Sequence, residues 1–385
     1  MWRSPTPGFG TIWPCCPVDV SPHRPQPCGP PPHRVGRPDK CTCRWPWVIA
    51  VLGGGVAGSS VALHLALAGA SVTVYDPQLR PTSTERAMGG FRTQHGSALN
   101  VALALQSREF FASRADRVCF QPNGYLYLAE DEEVAVELAA RAEFQLSLGL
   151  PIEHPEPEAK VPFLVGAGYQ GSNICALDGL YLPSLVHRVL VEEAEAAGVL
   201  FRWGEEAPAG IADDAEAVVI AAGNWSPEAG RRLGIRLAVT PLERGVFMVG
   251  PFDWLDRTVP MTLEAGSGYH FREREGRLWV MGPGDQHAWD HFRTWLELRV
   301  PAAAVAEPEG HWTGSYEVTF DHHALVGQTE RPGVWACCGF SGHGVMQSPA
   351  VGASLAAMIL GETPPLDITA LSPLRTEPLI DRTQL

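Results

Sequence analysis

The sequence predicts an α/β protein that also contains an antiparallel β-sheet. Residues 48–76 follow the pattern of strand, glycine turn, helix and strand. Residues 215–226 are an apolar run that ends in a glycine turn, which is typical of a buried strand in a parallel sheet. Residues 237–319 contain short alternating strands joined by polar turns, which is typical of antiparallel pairing. A parallel α/β layer is therefore expected to be split in the chain around an antiparallel module.

The first unit, residues 48–76, predicts a dinucleotide-binding turn. Gly53 permits a tight turn after the first strand, Gly55 lets the backbone approach a pyrophosphate, and Gly58 lets the helix pack closely on the sheet. The helix N-terminus offers N–H groups to the phosphates. Asp76 follows the second strand, where a carboxylate accepts hydrogen bonds from two ribose hydroxyls and disfavours a 2′-phosphate. The pattern indicates a dinucleotide other than NADP and leaves its identity open.

A glycine doublet, Gly89 and Gly90, lies between Arg86 and Arg92. It indicates backbone that passes close to a flat or charged group in a conformation that other residues avoid. The alternative is an ordinary turn flanked by two solvated arginines.

The remaining elements are predicted from apolar spacing. Helices are expected at residues 100–117, 131–148, 185–197 and through 349–360, and strands at 125–128, 199–203, 245–249, 268–272, 278–282 and 334–338, with a loop at 150–160.

The predicted domains divide the chain into five segments after an N-terminal extension. The first 46 residues are rich in Pro, Arg, Cys and Trp and lack an apolar segment, so we expect them to be disordered or to precede the true start. Residues 47–117, 178–237 and 323–385 are assigned to the dinucleotide-binding domain, and residues 118–177 and 238–322 to a substrate domain.

Composition narrows the classes of partner. The formal net charge of −14 argues against a nucleic acid or an anionic membrane surface as a partner. The apolar stretch around the glycine turn is broken by glycines, so no transmembrane segment is expected. Lys40 and Lys160 are the only lysines, which removes lysine as a general candidate for catalysis.

Cysteine and histidine spacing predicts no metal site. None of the nine cysteines has C-x-x-C spacing, and the four cysteines after residue 76 are expected to be buried thiols of a reduced, cytoplasmic protein. The adjacent His322 and His323 are expected to be surface or loop residues, because neighbouring side chains in an extended segment point in opposite directions.

Four separated motifs carry a resemblance to a known family. They are the glycine turn with Asp76, residues 87–92, residues 218–226 and the turn at residues 339–344. In order and spacing they resemble the FAD-dependent oxidoreductases of the D-amino acid oxidase, glycine oxidase and sarcosine oxidase/dehydrogenase superfamily. The resemblance covers nearly all of the chain from Val48 onward. It implies a Rossmann-like FAD-binding domain, split in sequence around an antiparallel-sheet substrate domain.

The resemblance also implies which residues hold FAD. The last glycine turn opens a helix, and its N–H donors are expected where a reduced flavin accumulates negative charge. The implied cofactor-binding residues are Gly53, Gly55, Val56, Ala57, Gly58, Asp76, Arg86, Ala87, Gly89, Gly90, Ala207, Ala222, Gly223, Trp225, Gly339, Ser341, Gly342, His343, Gly344, Val345 and Met346.

Departures from the family pattern bear on how FAD is attached and on the electron acceptor. Arg86 stands where some relatives attach FAD through a histidine, and residues 312–320 lack the cysteine that others use, so FAD is expected to be noncovalent. Val280 and Met346 stand where oxidases of the sarcosine type carry lysines near the flavin. The absence of a fixed cation there favours a dehydrogenase over an oxidase.

Three residues are candidates for contact with the substrate. Arg92 matches a substrate arginine of relatives, and its planar guanidinium suits a carboxylate; a structural ion pair is the alternative. Tyr269 and His270 lie on a strand expected to face the flavin, and because strand neighbours alternate, only one of them faces the substrate. We expect it to be Tyr269. His343 is expected to line the flavin through its backbone rather than to act as a base.

The predicted function is oxidation of the C–N bond of a small secondary, N-methylated or D-amino acid by hydride transfer to flavin N5. The electron acceptor is left open between oxygen, a quinone and an electron-transfer protein. One alternative is a glycine or D-amino acid oxidase that uses oxygen. Another, from a different class, is a non-catalytic assembly protein that FAD stabilises.

Overall fold

The computed structural model of the protein describes residues 48–78 and 82–381. The predictions for residues 1–46, including Lys40, lie outside the described residues. The helices of the described residues are α1 (Val56–Leu67), α2 (Ser83–Arg86), α3 (Ala98–Ser113), α4 (Ala115–Val118), α5 (Glu132–Ser147), α6 (Pro157–Lys160), α7 (Pro183–Ala196), α8 (Ile211–Asp214), α9 (Ser226–Arg232), α10 (Trp289–Arg299), α11 (Pro301–Ala304) and α12 (Gly344–Leu360).

The strands belong to three sheets. In chain order they are β1 (Val48–Leu52), β2 (Ser71–Asp76), β3 (Gly90–Phe91), β4 (Tyr125–Ala129), β5 (Ile152–Glu153), β6 (Gly171–Cys175), β7 (Gly179–Leu180), β8 (Leu200–Trp203), β9 (Ala217–Ile220), β10 (Thr240–Val249), β11 (Met261–Glu264), β12 (His270–Arg274), β13 (Arg277–Met281), β14 (Pro308–Val318), β15 (Leu325–Gln328) and β16 (Val334–Cys338). Short 3₁₀ turns cover Gly223–Trp225 and Thr369–Leu371.

A six-stranded sheet has the order β15-β16-β9-β1-β2-β8. Its strands pair in parallel except for β15, which is antiparallel to β16. The central strands are buried on both faces: Ile49 and Val51 pack in one apolar core, and Ala50 packs in another. This explains the near-continuous apolar runs of β1 and β9, because strands covered on both sides have no polar face. Helix α1 packs against α7 and α12 over the first of these cores.

An eight-stranded sheet has the order β14-β10-β13-β12-β11-β4-β6-β5. It is mixed rather than purely antiparallel, because β11 runs parallel to β4 with Met261 opposite Tyr125. The expectation of a fully antiparallel sheet is therefore wrong at this pair. β4 and β11 are separated by well over a hundred residues in the chain. No hairpin constrains their relative direction, as a short turn constrains β12 and β13.

The two faces of the eight-stranded sheet have different neighbours. Helix α10 packs on one face, where Phe292 and Leu296 lie in the same apolar core as Phe271 and Val280. The opposite face packs on the segment that contains Met88. Val280 therefore lies on the α10 side, and the expectation that it lies over the flavin is wrong. Met281 is on the other side with Met88, because adjacent residues of a strand point to opposite faces.

Smaller differences concern single segments. The predicted loop at residues 150–160 contains the short elements β5 and α6. Cys119 is exposed, which corrects the expectation of four buried thiols, whereas the other three described cysteines are buried. His323 is a loop residue, but it is buried rather than at the surface. Within residues 48–78 and 82–381, no helix is long and apolar enough to cross a membrane.

Candidate active site

A cavity of about 550 Å³ lies at the carboxyl ends of β1, β2, β8, β9 and β16. This edge is where open parallel sheets bind ligands, and the volume lies in the usual range of cofactor pockets. Many of the residues implied by the resemblance line it. They are Gly53, Gly55, Val56, Ala57, Asp76, Ala87, Ala207, Ala222, Gly223, Trp225, Gly342, Gly344 and Val345.

The first glycine turn has the geometry that its residues predict. Gly53 has φ +107°, and a Cβ there would lie 2.4 Å from the carbonyl oxygen of Ala221. A Cβ on Gly58 would lie 1.9 Å from the carbonyl oxygen of Gly53, so only glycine lets α1 start this close to the turn. Packing within the protein does not require glycine at Gly55, because a Cβ there would meet only Thr84 Oγ1 at 3.9 Å. Gly55 lines the cavity, so a Cβ there would take up space at the cavity wall.

Asp76 is held at the end of β2 by the same turn. Its Oδ2 accepts a hydrogen bond of 2.7 Å from the backbone N–H of Gly54, and its Oδ1 accepts one of 2.6 Å from that of Gln78. Each carboxylate oxygen keeps a further lone pair, since a carboxylate accepts about four hydrogen bonds. The side chain lines the cavity and can accept hydrogen bonds from two neighbouring hydroxyls.

The second glycine turn leads into α12. Gly339 has φ +73°, and a Cβ there would lie 2.5 Å from Thr319 Cγ2. Ser341 and Gly342 also have positive φ, and a Cβ on Gly342 would lie 3.0 Å from the Tyr316 ring. The turn therefore packs closely against the end of β14. It brings the N-terminus of α12, with Gly344 as its first residue, to the cavity wall.

Several implied cofactor residues do not line this cavity. They are Gly58, Arg86, Gly89, Gly90, Gly339, Ser341, His343 and Met346. Arg86 lines a neighbouring cavity of about 20 Å³, and Gly89 and Gly90 pack against the eight-stranded sheet. The group that lies against the glycine doublet is Arg272, which the sequence analysis did not single out. Its Nη1 donates hydrogen bonds to the carbonyl oxygens of Met88, Gly89 and Tyr181.

Arg92 is a buried arginine with 2% of its surface exposed. Its Nη1 donates a hydrogen bond of 2.8 Å to Tyr127 Oη, and its Nη2 lies 2.6 Å from His343 Nε2. Among the described residues, no ion pair of Arg92 with a carboxylate is found, although its charge interacts at longer range with those of Asp178 and Asp381. The structural ion pair considered as the alternative is thus not found in the described part of the chain. A buried charge without a counter-ion is costly, and binding an anion offsets that cost.

Two histidines accompany Arg92. His343 accepts the hydrogen bond from Arg92 through Nε2, which requires a neutral ring with its proton on Nδ1. Burial lowers the pKa of His343 well below its usual range, and the Arg92 charge acts in the same direction. His95 lies edge-on to His343 with 5.2 Å between ring centroids, and both its ring nitrogens are buried without a partner. Its pKa is lowered by burial and by the Arg92 charge as well. The Arg92 guanidinium is therefore the permanent charge of this cluster.

The structure places Tyr269 and His270 on opposite faces of their sheet. The Tyr269 ring stacks on Trp295 of α10 with 5.3 Å between centroids. His270 shares its face with Arg272, because residues two apart in a strand point the same way. Burial lowers the pKa of His270 to about 4, so its ring is neutral near pH 7. The preference for Tyr269 is corrected: of these two residues, His270 lies on the side of the sheet that faces the glycine doublet.

Two further cavity residues at the end of β14 were missed by the sequence analysis. Tyr316 packs on Gly342, and burial raises the pKa of its hydroxyl. Glu317 accepts a hydrogen bond from the backbone N–H of Phe340. The sequence carried only a weak signal, since glutamate is somewhat depleted in strands. Strand alternation alone did not show that this end of β14 reaches the cavity.

The cavity fits FAD on the evidence of its own atoms. The N-terminus of α1 and the Gly55 cradle suit a pyrophosphate, and Asp76 suits a ribose. At the other end, the N-terminus of α12 suits the electron-rich side of a flavin. Two side-chain oxygens of lining residues, Asn224 Oδ1 and Glu317 Oε2, are buried without a partner in the part of the chain that the structure describes, as expected where a polar ligand supplies one. Among the described residues, no cluster of His, Cys, Asp or Glu could hold a metal ion.

Comparisons with known proteins identify the family of this chain. The family model described as "DAO: FAD dependent oxidoreductase" matches residues 49–358. FAD-dependent oxidoreductase domain-containing protein 1 of Bos taurus is 27% identical, over 81% of this chain and 81% of its own length. Glycine oxidase of Geobacillus kaustophilus is 25% identical, over 84% of this chain and 96% of its own length.

The solved structures show the same fold. L-proline dehydrogenase from P. horikoshii superposes with a TM-score of 0.77 at 23% identity, covering 86% of this chain and 97% of its own. The family match spans most of the chain, and it confirms the predicted resemblance, the cofactor FAD and the assignment as an oxidoreductase. This protein belongs to the DAO family of FAD-dependent oxidoreductases.

Proposed function

We propose that the protein oxidises the C–N bond of a small amino acid and that Arg92 binds the substrate carboxylate. The observation that carries this proposal is the buried Arg92 guanidinium, whose direct hydrogen bonds among the described residues go to the neutral groups Tyr127 and His343 and not to a carboxylate. Its neighbour His343 immediately precedes α12, whose first residues line the FAD cavity. A substrate carboxylate on Arg92 would therefore lie next to the cofactor site. The relatives named glycine oxidase support a small amino acid as substrate.

When bound, FAD supplies the hydride acceptor at flavin N5, and the residues of this chain bind and orient the substrate. Arg92 offers a planar pair of N–H donors, which suits bidentate binding of a carboxylate. The neutral His343 accepts a hydrogen bond from Arg92 without adding a second positive charge. The guanidinium therefore keeps its full positive charge for binding a carboxylate. Burial of both groups excludes water and strengthens the electrostatic attraction. His270 and Tyr316 are proposed to line the substrate space beside them.

A dehydrogenase is proposed in preference to an oxidase. Lys160 is the single lysine within the described residues, and it lies at the surface 3.7 Å from Glu153. No lysine of the described part therefore lines the FAD cavity. The electron acceptor is then a quinone or an electron-transfer protein rather than oxygen. FAD is proposed to be noncovalent, so heat or acid denaturation should release all the flavin into the supernatant.

The test is flavin bleaching under anaerobic conditions with sarcosine, proline, glycine and D-alanine in parallel. The proposal expects bleaching with at least one of them. Slow reoxidation of the reduced protein by oxygen would support a dehydrogenase, and fast reoxidation would show an oxidase. Retention of FAD without bleaching by any of these compounds would contradict the proposal and favour an assembly protein that FAD stabilises.

Arg92→Lys provides the residue-level test. Lysine keeps the charge but loses the planar fork, so the substrate concentration for half-maximal bleaching should rise by about tenfold or more, with FAD binding unchanged. Arg117→Lys is the matched control, since Arg117 is an exposed arginine that pairs with Glu192 and Glu193. Equal substrate affinity in Arg92→Lys and the parent protein would show that Arg92 does not bind the substrate carboxylate.

A further inference from the structure

Glu317 is a carboxyl group that the proposed reaction does not use. It is the penultimate residue of β14 and lines the FAD cavity. Its Oε1 is 3.4 Å from the backbone N of Phe340, a long hydrogen bond. Its Oε2 is buried and has no hydrogen-bond partner within residues 48–78 and 82–381. A Cβ on Gly223 would lie 3.8 Å from this oxygen, so the glycine turn after β9 leaves space beside it.

No cation among the described residues compensates Glu317. The residue opposite it on β10 is Pro241, which has neither a charge nor an N–H. On β16, the groups within reach of its charge are the thiols of Cys337 and Cys338, and burial raises the pKa of both. The turn after β16 contributes only backbone N–H groups, and the turn after β9 contributes Gly223, which has no side chain.

The physical consequence is a carboxyl group that favours its neutral form. An ionised carboxylate in a buried site needs a cation or several short hydrogen bonds, and the described part of the chain gives Glu317 neither. Burial accordingly raises the pKa of Glu317 from 4.5 to about 7. FAD bound in the cavity would exclude water from Glu317, which would oppose its ionisation further.

We propose that Glu317 binds FAD in its neutral form, with the Oε2 hydroxyl donating a hydrogen bond to an oxygen of the cofactor. FAD binding then requires a protonated Glu317, and the protein takes up a proton from solvent wherever the free carboxyl is ionised. The opposite arrangement is an ionised Glu317 that accepts a hydrogen bond from a cofactor hydroxyl. It would leave FAD affinity constant or increase it as the pH rises.

The experiment measures FAD affinity, and it needs no substrate. The full-length protein is freed of flavin and titrated with FAD at pH 6.5, 7.5 and 8.5, with quenching of flavin fluorescence as the signal. The dissociation constant of the parent protein should rise as the pH increases, approaching tenfold between pH 7.5 and 8.5, because one proton must be bound for each FAD. Titration calorimetry at pH 8 in two buffers with different ionisation enthalpies should show uptake of about one proton.

Three variants separate the explanations. Glu317→Gln is permanently neutral and keeps a donor, so it should bind FAD with little pH dependence and without proton uptake. Glu317→Ala should bind FAD about tenfold more weakly than the parent at pH 6.5, since it loses a hydrogen bond in a buried site. Glu309→Gln removes an exposed charge from the same strand and should follow the parent protein at every pH.

Two results would overturn the proposal. One is the same pH dependence of FAD affinity in Glu317→Gln as in the parent protein. The other is unchanged FAD affinity in Glu317→Ala at pH 6.5. Because no amino acid is present, either result would leave the proposed amine oxidation standing, and failure of that reaction would leave the FAD measurements unaffected.

Discussion

The Nη2 atom of Arg92 lies 2.6 Å from Nε2 of His343, which joins the proposed carboxylate-binding residue to the turn that opens α12. His343→Leu removes the acceptor and leaves a buried N–H of a charged group without a partner. We expect the substrate concentration for half-maximal flavin bleaching to rise by about tenfold, because hydrogen bonds to charged groups contribute about 1.5–3 kcal/mol. His343→Gln keeps an acceptor and should show a smaller increase. Equal values for both variants would show that the acceptor does not position Arg92.

Gly53→Ala should abolish FAD binding and destabilise the protein strongly. Its Cβ would lie 2.4 Å from the carbonyl oxygen of Ala221, in addition to the strain of φ +107°. Gly69→Ala is the matched control, since Gly69 has φ +88° and open space around the position of a Cβ. It should cost only about 1–2 kcal/mol, from backbone strain. Denaturant unfolding and flavin content measure both effects, and similar losses in the two variants would contradict the assigned clash.

Glu264→Gln should destabilise the protein by about 3–5 kcal/mol, because it breaks a buried ion pair. Glu264 accepts hydrogen bonds from Arg299 Nε at 2.7 Å, Trp295 Nε1 at 2.8 Å and Tyr169 Oη at 2.6 Å. An amide replaces one of these acceptors with a donor. Glu192→Gln, in an exposed ion pair with Arg117, should cost under about 1 kcal/mol. Urea unfolding of both variants measures the difference, and equal costs would exclude a structural role for the buried network.

The stability of the flavin-free protein should depend on pH through Glu317. The pKa of this carboxyl is raised in the folded state, from 4.5 to about 7. Its contribution to stability is therefore fully present below pH 4.5 and is lost as the pH rises through about 7. The melting temperature of the parent protein, relative to that of Glu317→Gln, should fall between pH 5 and pH 8. A constant difference over this range would show that Glu317 has an ordinary pKa when FAD is absent.

Most of the parallel layer could be predicted from local sequence patterns. The strand, glycine turn, helix and acid of residues 48–76 depend largely on contacts between residues close in the chain, and Gly53, whose Cβ would also meet the distant Ala221, is the exception. The last turn and α12 were predictable for the same reason. The mixed eight-stranded sheet was not, because the parallel pairing of β4 with β11 joins distant segments and leaves no mark on either strand.

The side chains around the proposed substrate site also divide into features that the sequence predicted and features that depend on the packed structure. Arg92 was found from its sequence context, but its burial and its hydrogen bonds to Tyr127 and His343 are properties of the packed molecule. Strand alternation predicts that Tyr269 and His270 point to opposite faces of the sheet, as do Val280 and Met281. It does not predict which of the two faces α10 covers. That choice depends on where the apolar side of α10 packs, and it reversed both expectations.

By itself, the sequence determined that the chain has a dinucleotide-binding turn and the ordered motifs of an FAD-dependent oxidoreductase, because these depend on residue type at short, fixed spacings. The tertiary structure decided which groups meet at the cofactor. It brought the end of β14 to the cavity, where no cation of the described residues compensates Glu317, and it paired Arg92 with a neutral histidine from the other end of the chain. Burial and the identity of distant neighbours set the charge of a buried group, and both arise only when the chain is folded.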